Sequence, residues 1–157
     1  MLFRSDLKPL DLNALVQDVM QLYGAENSVV PVRCKIDPAC PEIQGDAQQI
    51  RQVVHNLLQN AQDACELTPT RAPRVVIRTE WNAMRQRVRL SVIDSGPGFE
   101  PHILQRAFEP YVTTKAKGTG LGLAVVKKIA DDHRAKIDLA NVMQDAGVAG
   151  EIGRAHV

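Results

Sequence analysis

An α+β sandwich, with helices packed on one face of a mixed sheet, is the fold class this sequence predicts. Three observations predict it. The run that starts near Asp46 places Ile50, Val53, Val54, Leu57, Leu58, Ala61, Ala64 and Cys65 at steps of three and four, the apolar stripe of a helix. The segments Arg74–Glu80 and Arg87–Ile93 alternate with the period of a half-buried strand, and the connection Trp81–Gln86 makes them an antiparallel hairpin. A third periodic run, Leu121–Asp132, follows a glycine-rich stretch and leads into a strand at Lys136–Leu139. Helices and strands thus interleave along 157 residues, the size of one domain.

The remaining elements follow in order. Leu10, Leu12, Leu15, Val16, Val19, Met20, Leu22 and Tyr23 have near-helical spacing, with Asp11 or Asn13 as the cap. Val29–Ile36 reads as a short strand closed by Asp37-Pro38 and Cys40-Pro41. Thr68-Pro69 ends the long helix, because the residue before proline is driven out of the helical region. Residues 94–99 form a glycine-rich turn, and 100–120 read as irregular apart from a short helix at 101–107. The tail Glu151–Val157 has no alternation and reads as an appended stretch or a truncated last strand.

Composition removes several classes of function. Hydrophobic residues make up 45% and charged residues 24%, values of a globular chain rather than a disordered one. A net charge of +1 gives no basis for a nucleic-acid groove or a polybasic membrane surface. Cys34, Cys40 and Cys65 include no C-x-x-C pair, so reduced thiols are expected rather than disulfides or zinc. No apolar stretch approaches the roughly 18 residues of a membrane-spanning helix, and the N-terminus lacks a signal-peptide pattern.

Four stretches carry candidate chemistry. On the long helix Asn56, Asn60 and Asp63 form a polar stripe about 135° from the apolar one. Carboxamide oxygens are hard neutral ligands suited to a magnesium ion that keeps most of its waters and binds phosphate. Alone, the stripe fits a solvated helix face better. The second stretch is Val92-Ile-Asp-Ser-Gly-Pro-Gly98, where a strand delivers Asp94 into a turn made by Gly96 and Gly98. A fixed carboxylate there can accept from an exocyclic amine such as adenine N6, although Asp-Ser-Gly-Pro is also ordinary turn chemistry. The third is Lys117-Gly-Thr-Gly-Leu-Gly-Leu123, with Gly118, Gly120 and Gly122 at alternate positions before a helix. Their peptide N–H groups and the helix N-terminus make an anion cradle, with Lys115 and Lys117 beside it. The spacing is neither a Rossmann fingerprint nor a Walker A loop. Between the second and third lies Phe108-Glu-Pro-Tyr-Val-Thr-Thr-Lys115, which reads as a loop that can close over a ligand.

Together the four resemble the histidine kinase ATPase family. Asn56-Leu-Leu-Gln-Asn-Ala61 is similar to its N box, Asp94–Gly98 to its first glycine box, Phe108–Lys115 to its F box and Gly118–Leu123 to its second glycine box. The resemblance implies a Bergerat-type fold that binds Mg-ATP. Asn60 with Asn56 would hold magnesium and serve catalysis, with Asp63 beside them. Asp94 would take the adenine amine at a turn made by Gly96 and Gly98. Tyr111, Thr113, Thr114, Lys115 and Lys117 would belong to the ATP lid, and Gly118, Thr119, Gly120, Leu121, Gly122 and Leu123 would hold the phosphates. The F box and second glycine box look most like nitrogen-regulation kinases of the NtrY type. Where the family often has His-Gly-Gly, this chain has His133-Arg-Ala135, which puts the tight turn there in doubt.

Gyrase, Hsp90 and MutL-type relatives carry a glutamate, as general base for water, four residues before the magnesium asparagine. Here that position is Asn56, and a carboxamide accepts no proton at neutral pH. Transfer to a neutral imidazole needs no such base. None of His55, His102, His133 and His156 lies in the family's acceptor setting, so the expected partner is a separate dimerisation and phospho-acceptor domain, with a response regulator beyond it. The resemblance implies a cytoplasmic domain of a parent protein that can be anchored in the bacterial inner membrane. A protein-serine kinase of the anti-sigma type and a non-enzymatic nucleotide-binding module are the alternatives.

Overall fold

Asp11 opens the first helix: its carboxylate accepts from the Ala14 amide at 3.1 Å, one of the donors a helix start leaves unpaired. The computed structural model describes residues 6–23, 31–66, 74–94, 122–134, 136–144 and 147–156. Strand β1 (Lys8–Leu10) precedes helix α1 (Leu12–Met20), which tightens into a 3₁₀ turn at Gln21–Tyr23. Leu12, Leu15, Val16 and Val19 bury one face of α1. Asp11, not Asn13, is the cap, and Leu10, expected in the helix, lies in β1.

Strands β2 (Val32–Lys35) and β3 (Ile43–Gly45) lead to helix α2 (Ala47–Glu66). Asp46 caps α2, accepting from Gln48 and Gln49 at 3.1 and 3.2 Å. Its stripe is buried as expected: Val54, Leu57, Leu58 and Ala61 are at most 1% exposed. Deleting a side chain such as Leu57 would cost about 2–5 kcal/mol through lost transfer energy and a cavity.

The hairpin is β4 (Val75–Asn82) and β5 (Arg87–Asp94), in register from Val75↔Asp94 to Asn82↔Arg87. Trp81 and Asn82, expected in the connection, extend β4. The reason is a bond from outside the pair: the Trp81 amide donates to Asp37 Oδ2 at 2.9 Å, fixing the strand beyond the end of β2. Helix α3 (Gly122–Asp132) precedes β6 (Lys136–Gln144) and β7 (Gly147–His156).

The main sheet has the order β2-β4-β5-β7-β6, with β2 parallel to β4 and the other pairs antiparallel, while β1 and β3 form a separate two-stranded sheet. Two differences from the sequence reading stand out. β6 continues five residues beyond Leu139, and 151–156, which shows no alternation, is hydrogen-bonded strand between β5 and β6. Val75, Ile77 and Thr79 of β4 and Val88, Leu90, Val92 and Asp94 of β5 are buried on one face. There α2 packs against β4, β5 and β7, with α1 and α3 against α2. No helix among the described residues is long and apolar enough to cross a membrane. Cys34, Cys40 and Cys65 are free thiols.

Candidate functional site

Helix α2 has two polar flanks. At about 100° per residue, Asn56, Asn60 and Asp63 lie on one side of the apolar stripe, and His55 and Gln62 on the other. All three residues of the first flank are half-buried, an intermediate position between core and water. Gln59 Nε2 donates to Asp63 Oδ1 at 3.1 Å, an i,i+4 bond that orients the carboxylate.

The second flank meets the end of α1. The Tyr23 hydroxyl lies 2.9 Å from His55 Nδ1, and the two rings are tilted at 56° with centroids 5.6 Å apart. Burial pushes the Tyr23 phenol above its ordinary value, and the negative charge of Asp63 adds to the shift. His55 is thus held by the protein's own tyrosine.

Asp94 is the last residue of β5 and lies on the inward face, 2% exposed, opposite Val75. The strand alternation that buries Val88, Leu90 and Val92 also turns this carboxylate toward the helices. Its Oδ2 is enclosed and accepts no hydrogen bond from the protein, while the residue makes other interactions. Gly122 begins α3, so the N–H groups of its first turn stand at the head of that helix. Gly96, Gly98, Tyr111, Thr113, Thr114, Lys115, Lys117, Gly118, Thr119, Gly120, Leu121 and the short helix at 101–107 lie outside the described residues. Leu123 is in α3.

Sequence reasoning missed four buried polar residues, among them Ser91 of β5 at 1% exposed. Gln62, 7% exposed, borders the apolar stripe four positions after Leu58, on the flank it shares with His55. Thr79, 1% exposed, sits at an inward position of β4, which the strand alternation marked. His133, 6% exposed, gave no local signal: its partner Asp46 is 87 residues away. The turn after it, doubtful because Arg134 stands where the family often has glycine, forms with Arg134 at φ 54°.

A helix with half-buried carboxamides, the strand that ends in a buried carboxylate and a second helix opening on a glycine thus adjoin on one face of the sheet. Residues 45–151 match the family described as histidine kinase-, DNA gyrase B- and HSP90-like ATPases, more than half of the chain, and the chain belongs to that family. Its relatives include sensor histidine kinases. An NtrY-like sensor histidine kinase of Rickettsia bellii is 43% identical over 96 residues, 61% of this chain and 15% of that protein. The sensor histidine kinase ZraS of Escherichia coli strain K12 is 37% identical over 137 residues, 86% of this chain and 28% of that protein. The crystal structure of full-length ShkA in complex with AMPPNP superposes with a TM-score of 0.79 at 27% identity, covering 98% of this chain and 31% of that one. This chain spans less than a third of the length of either relative.

Proposed function

We propose that this domain binds Mg-ATP and transfers the γ-phosphoryl group to a histidine on a separate dimerisation and phospho-acceptor domain, in two-component signalling of the nitrogen-regulation type. The observation that carries the reading is the placement of Asn56 and Asn60 on one half-buried flank of α2, packed on the strand that ends in buried Asp94. Asp94 would accept from the adenine amine, and the N–H groups at the head of α3 would receive phosphate oxygens.

The donor set fits magnesium. Asn56 and Asn60 offer carboxamide oxygens four residues apart on one helix face, and a hard, strongly hydrated dication takes few protein oxygens when phosphates supply the rest. When bound, the ion supplies charge neutralisation at the β- and γ-phosphates. The side chains of Asn56 and Asn60 would orient it, and neither removes a proton from water. The acceptor imidazole attacks the γ-phosphorus, the bond to the ADP oxygen breaks, and the proton displaced from imidazole passes to solvent. Two of the chain's own histidines are engaged elsewhere: His55 by Tyr23, and His133 by Asp46 and Ile129. This supports an acceptor in another domain, from which a response regulator would take the phosphoryl group.

The NtrY-type assignment draws on the wording of the F and second glycine boxes and on the Rickettsia relative, while ZraS marks the wider sensor-kinase group. The test is phosphotransfer from labelled Mg-ATP to a purified acceptor domain. An acid-labile, base-stable product on that domain is expected, with little phosphate release by this chain alone. Robust ATPase activity without acceptor would sink the transferase reading, and an acid-stable product on serine would favour a protein-serine kinase.

A further inference from the structure

His133 joins the two helices assigned above to the nucleotide, at the ends away from the glycine turn. It follows α3 directly and is buried. The Asp46 amide donates into its Nε2 at 3.0 Å, so that nitrogen carries no proton. Its Nδ1 lies 2.8 Å from the Ile129 carbonyl, which only accepts, so the proton is on Nδ1. The ring is therefore neutral, in one tautomer, with both nitrogens bonded.

The partner is equally well determined. Asp46 caps α2: its carboxylate receives the amides of Gln48, Gln49 and Asp6, and its own amide goes to His133. Gly45, beside the ring, is packed closely against Leu10. A Cβ there would stand 3.1 Å from Leu10 Cδ2 and 3.8 Å from His133 Cδ2.

We propose that His133 is a positioning residue for the triphosphate: its bond to Asp46 fixes α3 against α2, and so sets the spacing between the N–H groups at the head of α3 and the carboxamides of Asn56 and Asn60. The inference rests on the assignment of the phosphates to the region between those groups. α3 has 11 residues, a stiff rod of about 16 Å, so a shift at its His133 end is carried to its phosphate end. A misplacement of about 1 Å can cost on the order of a hundredfold where several groups must converge. Adenosine has no phosphates and would use the Asp94 end alone.

The experiment compares Mg-ATP and adenosine affinities by calorimetry for the wild-type chain, His133→Phe and His133→Gln, each checked for folding by circular dichroism. Phenylalanine keeps the ring and removes the bond. Glutamine can place an acceptor oxygen near the position of Nε2. His133→Phe should weaken Mg-ATP at least about tenfold, the loss of one buried bond or more, and leave adenosine unchanged. His133→Gln should recover most of that loss. Equal weakening for both ligands, no weakening of Mg-ATP, or a glutamine variant as weak as the phenylalanine one overturns the inference. A wild-type chain that binds Mg-ATP no better than adenosine overturns the phosphate assignment itself, and the inference with it. If His133→Phe does not fold, amide exchange at Asp46 in the wild type decides: slower with Mg-ATP than with adenosine supports the tie, and equal rates overturn it.

Discussion

Thr79 and Asp94 are buried polar residues on the same face of one hairpin, and they are treated in opposite ways. The Thr79 hydroxyl donates to Asn13 Oδ1 at 2.7 Å and accepts from the Asp37 amide at 3.1 Å, and Asn13 Nδ2 donates to the Asp37 carbonyl at 2.9 Å. This closed circuit fastens α1 to β4 and to the turn after β2. At the other end of the hairpin, Asp94 keeps an enclosed oxygen that accepts no hydrogen bond from the protein. A polar group whose capacity is spent within the fold is scaffold. A carboxylate delivered to a strand end beside a glycine-rich segment is better suited to a ligand.

The contrast breaks first at Asp94 if it is wrong. Asp94→Asn should cost about 1.5–3 kcal/mol of binding, roughly 10- to 150-fold in ATP affinity, through loss of a charged hydrogen bond. GTP, which presents a carbonyl where adenine presents an amine, should not bind to the wild type. Calorimetry showing equal ATP and GTP binding would remove Asp94 from that role. Thr79→Val should do the reverse. It leaves half-buried partners on Asp37 and Asn13 unmet and should destabilise the apo domain by about 1–3 kcal/mol in urea unfolding, with ATP affinity unchanged.

Asn60→Ala sharpens the comparison on the helix side. It should weaken Mg-ATP about tenfold, leave metal-free ADP binding nearly intact, and change the melting temperature little, since Asn60 is outside the core. A large loss of apo stability would place Asn60 with Thr79 as scaffold. A smaller effect is expected at Arg134, whose φ of 54° favours glycine. Arg134→Gly should stabilise by about 1 kcal/mol, raising the melting temperature by about 2–4 °C, with ligand affinity unchanged.

The smallest test is acid titration. The Trp81 and Ala39 amides hold the Asp37 carboxyl below its ordinary value, and the Asp6 amide, then those of Gln49 and Gln48, do so for Asp46. A lowered folded pKa means that the stabilisation is complete above the unfolded value near 4 and is lost as pH falls through the folded pKa. The contribution of these two carboxylates to stability should therefore be flat from neutral pH to about 5 and fall below about 4, and the fall should be less steep in Asp37→Asn.

The parts legible in the sequence are those with a period. α2 and the hairpin announced themselves because a 3.6-residue stripe and a two-residue alternation continue over many residues. The carboxamide flank and Asp94 followed, since a helix face and a strand end can be computed from spacing. β1 and β3 are three residues each, too short for a pattern, and Leu10 had a helical neighbour four positions on in Ala14. β7 carries Gly147, Gly150 and Gly153 and no alternation, so only its pairing on both sides defines it. The bond from Asp46 to His133 spans most of the domain, and no local rule reaches that far.

The Asp37 carboxylate has a consequence at the rim of the sheet. Parallel pairing of β2 with β4 stops at Lys35↔Arg78, which would leave the amide of Trp81 open to any passing extended segment. Asp37 Oδ2 occupies that amide, and Arg33 and Lys35 place exposed cationic side chains along β2 itself. A neighbouring copy that tried to continue the ladder would meet two charges and an amide already spoken for. At the β2 edge of the sheet, one carboxylate and two cations thus make a poor template for edge-to-edge stacking, a protection that should matter most where many copies are crowded together.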